Sequence, residues 1–451
     1  MAIGKSYDLT TGSVLKNLVR FFLPVAAGTI VQQLYNTADA LIVGRYVGTQ
    51  ALAAVGGSPA QIINLIIGAV VALTGGASVV VAHFYGAKDN AGVRKSSNSG
   101  IAGCTLIGLI VTFIGFFATP AMLTFMKTPA DTFDQASLYL KIIFLGTTFT
   151  TLYNMGSGIL RAAGDSQRPF IYLLICAVAN IGLDYLFVAV FKWGVMGAAI
   201  ATIMSQLFSC VLVLWNMART DEPYRIIISH IKLDLFTFKR MLYLGIPSSL
   251  QQIMYGVSNS AIQVAVNTLG TSMVAAWSLC GKIDGFYWAL VSAMGTAVMG
   301  FVGQNYGAGK IDRIKSCFKV STIITVVGTV ICSLAIILIG PKVLPFFDDD
   351  AYVVELSVFI MMQFVPYYFL WPCVEIPSGI LRGAGDAVVP VIILGITVCL
   401  YRVVWIYTAF AWYHTIETLC LCYPISWAMA SIPLLIRYFR GKWNHIGQIP
   451  E

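Results

Sequence analysis

The chain has 451 residues, of which 58% are hydrophobic and only 11% charged, where soluble domains carry about 25% charged residues. A soluble protein of this length needs far more polar surface to cover itself, which excludes a soluble enzyme, a nucleic-acid-binding module and a disordered chain. The net charge of +8 does not mark an acidic partner, because Lys and Arg collect in alternate loops, as membrane topology requires. The sequence reads as a polytopic membrane protein.

A polar N-terminal tail, Met1 to Lys16, leads straight into a long apolar segment without a small-residue cleavage site. This predicts a cytoplasmic tail before a retained first helix, not a signal peptide. Apolar runs lie between polar breaks, at 19–45, 57–84, 99–120, 136–160, 170–191, 194–218, 241–267, 274–302, 319–340, 356–381, 388–410 and 417–436. A transmembrane helix needs about 20 apolar residues, so twelve are predicted. With the N-terminus inside, the loops on the opposite side and their helix ends hold only Arg45, Lys127, Lys141, Lys192 and Lys342. That asymmetry predicts both termini on the cytoplasmic side of the cell membrane.

The ten cysteines form no framework, and a lone Cys420-x-Cys422 is a weak metal signal. His83, His230, His414 and His445 show no metal-ligand spacing, and no Walker A sequence is present. No cofactor is expected.

An internal repeat organises the whole chain. Gly158-Ile-Leu-Arg-Ala-Ala-Gly-Asp165 recurs as Gly379-Ile-Leu-Arg-Gly-Ala-Gly-Asp386, seven of eight residues identical at an offset of 221. Tyr85-Gly86-Ala87 matches Tyr306-Gly307-Ala308 at the same offset, Pro169 matches Pro390, and Pro24 pairs with Pro247 at 223. Each repeat holds six helices, an even number, so the halves sit the same way up. The expected fold is an all-α integral membrane protein of two six-helix bundles related by a pseudo-two-fold axis along the membrane normal. The expected domains are 1–218, a linker at 219–240 and 241–451. Two like bundles that rock about a central cleft suit alternating access, and hence transport.

An Asp at the centre of a membrane helix costs about 2.5–3.5 kcal/mol on insertion scales, so each one asks for a reason. At 1.5 Å per residue, Asp39 on helix 1 and Asp184 on helix 5 lie about 9 and 10 Å below the outer end, with Thr202 of helix 6 at about 12 Å. Asn180 stands one turn from Asp184 on the same face. Four oxygen-bearing side chains at one level suit a proton or a small hard cation such as Na⁺. Two neighbouring carboxylates do not both stay ionised cheaply without one. The competing reading is a structural polar knot. Helix 1 adds Tyr35 and the polar stripe Gln32, Asn36, Asp39 as cavity candidates. Pro24 removes a backbone hydrogen bond from the same helix and invites a bend.

The second half carries Lys282 and Asp284 on helix 8 and Arg402 on helix 11, all about 12–15 Å deep. Their similar depth predicts that at least one of the cations neutralises Asp284. The alternative is a substrate-facing role. Lys282 and Asp284 are two apart, so a regular helix turns them to different faces; Gly281 and Gly285 allow a distorted turn. Glu375, between Pro372 and Pro377, receives no assignment.

Along nearly its whole length the chain resembles the multidrug and toxic compound extrusion (MATE) transporters. The resemblance rests on two sets of six helices, Gln32-Gln33-Leu-Tyr-Asn-Thr-Ala-Asp39 in helix 1, the Tyr-Gly-Ala after helices 2 and 8, and the doubled Gly-Ile-Leu-Arg-x-Ala-Gly-Asp. Asp39, Asn180, Asp184 and Thr202 look like the DinF-type branch, which implies a site for the coupling ion, Na⁺ or H⁺, and a helix-1 proline that bends. The acids that the other main branch places on helices 7 and 10 have no match on helix 7. The resemblance implies an antiporter in the lipid bilayer that exports amphipathic, mostly cationic organic compounds; a monomer is expected. Two rivals remain: a flippase for a lipid-linked glycan, of whose cationic cluster Lys282 and Arg402 are a thin version, and an integral-membrane enzyme.

Overall fold

The computed structural model describes residues 7–227, 229, 231–347 and 350–445. His230, the first six residues of the N-terminal tail and the side chain of His445 lie outside the described residues. Among the described residues the elements are helical, with no strand. Twelve segments run in chain order. They are α1 (Val14–Tyr46), α2 (Ser58–Gly86), α3 (Asn90–Phe125), α4 (Ala130–Leu145 continued by Thr147–Ala162), α5 (Gln167–Asp184) and α6 (Gly194–Arg219). Then come α7 (Leu235–Asn267), α8 (Thr271–Gly307), α9 (Ile311–Val343), α10 (Ala351–Phe364, then Pro372–Gly383), α11 (Val388–Leu394 with its continuation to Phe410) and α12 (Ile416–Phe439).

Among the described residues, ten stretches are long and apolar enough to cross a membrane. The two other segments are α7, diluted by Gln251, Gln252, Asn259 and Gln263, and α4, which Gly146 divides into two pieces of 16 residues. A side chain at Gly146 would meet Ile203 of α6 at 2.8 Å. The glycine therefore lets α4 approach α6 closely, at the cost of a break. The three-residue-per-turn stretch Val365–Leu370 interrupts α10; Pro366 is its second residue and Pro372 opens the next α-helical piece, and each removes a backbone donor. Large apolar side chains stand exposed in helical stripes, Leu109, Phe113 and Phe117 on α3 and Ile331, Leu334 and Leu338 on α9. Water would penalise such stripes and lipid does not.

The chain packs as two compact units. One holds the residues up to Thr11, Leu23–Ser249 and Gly303–Gly309; the other holds Gly12–Phe22, Leu250–Val302 and the chain from Lys310 on. The division differs from the boundaries expected at 218 and 241. It cuts α1 beside Pro24 and α7 beside Pro247, where a missing backbone hydrogen bond weakens the helix, and it leaves the linker 219–240 inside the first unit. In that unit the second piece of α4 packs on α2, α3 and α6, and α5 packs on α6. In the other, α12 packs on α10 and α11, and α9 packs on α10.

Candidate functional site

The first unit brings polar groups together from four helices. Gln32, Asn36 and Asp39 succeed one another up α1; Gln32 and Asn36 are exposed, and Tyr35 and Asp39 are half-buried. Asn180 and Asp184, one turn apart on α5, are 1% and 0% exposed. Asp39 and Asp184 are close enough to act electrostatically on one another, and both act on the hydroxyls of Tyr35 and Tyr139. The Gln206 side chain of α6 stands beside the Tyr35 hydroxyl.

An apolar layer holds these helices in register. Val43, Val188 and Ala198 belong to one buried cluster with Tyr139, Ile143, Val195 and Ala199. Each of the first three lies four residues from a polar group: Val43 from Asp39, Val188 from Asp184, Ala198 from Thr202. The acids therefore sit one turn from a dry layer, which keeps water from screening them. Asp184 is also the last regular residue of α5, because Tyr185–Val190 continues it as a π-helix. The wider turn there shifts the register of the remaining residues of the helix, a distortion frequent at functional sites.

Both carboxylate oxygens of Asp184, the amide oxygen and nitrogen of Asn180 and Oδ1 of Asp39 are buried without a hydrogen-bond partner in the protein. Neither acid has a cationic partner among the described ion pairs. The Thr202 hydroxyl donates to the Ala198 carbonyl at 3.0 Å, which leaves its lone pairs to accept. Unpartnered buried acceptors are costly, and a proton or a small cation relieves that cost. Hard oxygens of this kind fit either.

The second-half charges do not form the network expected of them. Asp284 receives the Tyr368 hydroxyl at Oδ1 and, at 2.7 Å, Trp288 Nε1 at Oδ2. No described ion pair joins it to Lys282 or Arg402. Lys282 is exposed with its ammonium 5.6 Å from the centre of the Phe347 ring. Arg402 is buried, its guanidinium 4.1 Å from the Tyr423 ring centre and its Nε donating to Ser426 at 3.2 Å. The reason is geometric. α8 runs unbroken from Thr271 to Gly307, so residues two apart diverge, and Gly281 and Gly285 do not break it. Glu375, unassigned from sequence, pairs with Arg382 at 3.3 Å.

Sequence reasoning missed Gln206, Tyr139, Trp288 and Tyr368. Gln206 lies four residues from Thr202 and Trp288 four from Asp284, a spacing that marks both as neighbours. Tyr139 and Tyr368 come from other helices and carry no such signal.

The MatE family model matches residues 24–186 and 247–408. The probable multidrug resistance protein YpnP of Bacillus subtilis is 32% identical over 321 residues, 69% of either chain. The multidrug export protein MepA of Staphylococcus saprophyticus is 22% identical over 84% of either chain. Among solved structures, a multidrug resistance MATE family transporter in an outward-facing conformation superposes with a TM-score of 0.90, at 23% identity, over 100% of either chain. A MATE in the bent conformation gives 0.90 over 98% of either chain.

Proposed function

This chain belongs to the MatE family, and from that premise we propose that it is a multidrug efflux transporter. It exports amphipathic, mostly cationic organic compounds in exchange for Na⁺ or H⁺ by alternating access. It works as a monomer in the cell membrane, with both termini cytoplasmic. The names of its relatives support the multidrug reading. The single observation that carries the coupling is the set of unpartnered oxygens on Asp39, Asn180 and Asp184.

Two ionised carboxylates in a dry setting repel. A bound coupling ion removes that repulsion and draws α1 and α5 together; its departure lets them part. Because α1 also presents Gln32, Tyr35 and Asn36, its movement changes the surface offered to the exported compound. Ion and compound are thereby linked through one helix, which Pro24 leaves one hydrogen bond short.

Proteoliposomes given an imposed Na⁺ or pH gradient, each alone, test this with ethidium as the exported compound. Asp39→Asn and Asp184→Asn are each expected to abolish gradient-driven movement while the protein inserts normally. Undiminished transport by either variant overturns the assignment.

A further inference from the structure

We propose that Asp284 and the aromatic side chains around it form a binding site for the cationic centre of an organic compound, separate from Asp39 and Asp184 and wholly within the second unit. The proposal rests on the reading of the chain as an exporter of organic cations and names the residues that recognise the charge.

Among the described residues no Lys, Arg or His side chain forms an ion pair with Asp284. Its two donors, the Tyr368 hydroxyl and Trp288 Nε1, are neutral. They orient the carboxylate without neutralising it. The two cations at similar depth are engaged elsewhere, Lys282 over Phe347 and Arg402 with Tyr423 and Ser426. A carboxylate kept in a membrane-spanning helix without a counter-charge is costly, and such a residue marks a ligand path more often than a packing contact.

Its neighbours suit a particular kind of cation. Trp288 meets Trp371 edge to face at 5.0 Å and Trp427 at 5.9 Å, with Tyr368 6.0 Å away. Tyr287 stacks on Tyr368 at 4.1 Å and donates its hydroxyl to the Tyr368 carbonyl, so the second ring is held from behind. Tyr368 and Trp427 are fully buried while Asp284 is half-buried. The carboxylate therefore lies at the front of an aromatic wall. One turn earlier, a side chain on Gly281 would meet nothing within 4 Å, so space adjoins that face of α8.

A bare metal ion finds little here, since one carboxylate already accepts two hydrogen bonds and the groups beside it are ring carbons and N–H donors. A weakly hydrated ammonium or phosphonium needs no directional oxygen ligands. It gains from the charge and from the partly exposed Trp288 ring together.

The test is calorimetric binding to the purified full-length chain, with tetraphenylphosphonium as the charged probe and triphenylphosphine oxide as a neutral one of similar shape. Asp284→Asn is expected to weaken phosphonium binding about tenfold, the loss of one close carboxylate–cation attraction, and to leave the neutral probe within about twofold. Asp284→Glu should recover part of the charged-probe affinity. Unchanged phosphonium binding by Asp284→Asn overturns the proposal. So does an equal loss for both probes, which is the signature of a packing role, and so does a parent that does not prefer the charged probe. Charge-selective binding in a protein that moves nothing under either gradient would sink the transport reading and leave this site standing.

Discussion

Gly86 on α2 and Gly307 on α8 hold equivalent places in the two sequence repeats, and each presses on the helix that carries the other. A side chain on Gly86 would strike the Gln304 carbonyl, and one on Gly307 the His83 carbonyl. The fully buried Gln304 is fastened at the same place. Its Nε2 donates to the Ala162 carbonyl at 2.7 Å and its Oε1 accepts the Leu9 amide at 3.0 Å. Asn305 Nδ2 donates to the Leu9 carbonyl at 3.2 Å. The Tyr-Gly-Ala of each repeat thus marks a helix crossing.

Gly86→Ala and Gly307→Ala should therefore each force backbones apart and cost about 1–3 kcal/mol, the usual range for overpacking. Thermal melting of the purified protein checks this. Gly328→Ala, on α9 with nothing near its added carbon, is the control and should melt no lower than the parent, because alanine favours the helix.

Thr202 distinguishes the two coupling ions. Thr202→Val keeps the shape and deletes the oxygen. If Na⁺ is the ion, the Na⁺ concentration for half-maximal transport should rise several-fold, while Thr202→Ser restores it. A proton shared between Asp39 and Asp184 does not need that oxygen, so a proton-coupled protein should keep its pH profile. Titrating transport against Na⁺ and against pH reads both outcomes.

Pro24 lies inside α1, which continues through it without interruption from Val14 to Tyr46. Alanine there restores the amide donor and stiffens the helix. Turnover of Pro24→Ala in proteoliposomes should fall, with equilibrium binding of the exported compound within a few-fold of the parent. Unchanged turnover makes Pro24 a static packing residue.

Asp234, just ahead of α7, gives a pH signature outside the membrane. Its carboxylate accepts from the Thr237 amide at 2.8 Å and pairs with Lys95 at 3.1 Å. Hydrogen bonds from Thr237, with a further contribution from Lys95, hold its pKa down to about 2. A group depressed on folding stabilises above its unfolded value, near 4, and loses that contribution as pH falls toward the folded value. Asp234→Asn keeps a helix-capping side chain but should melt lower than the parent at neutral pH. The difference should close between about pH 4 and pH 2.

The sequence by itself determined the twelve-helix membrane fold and its repeat, because the length of apolar runs and the recurrence of motifs are local properties that survive without coordinates. It also placed Asn180 and Asp184 on one face, since a spacing of four is a property of any α-helix. Rise per residue, however, measures depth along a helix and says nothing of direction around it. Lys282, Asp284 and Arg402 share a level and still do not pair. Only the tertiary structure decided that Asp284 meets Tyr368, 84 residues away in sequence. Tyr368 stands in the tightened stretch Val365–Leu370, where Pro366 and the following Pro372 each remove a backbone donor. Hydrogen-bond partners are chosen across helices by backbone distortions of this kind, and the apolar pattern that threads a helix through a membrane does not encode them.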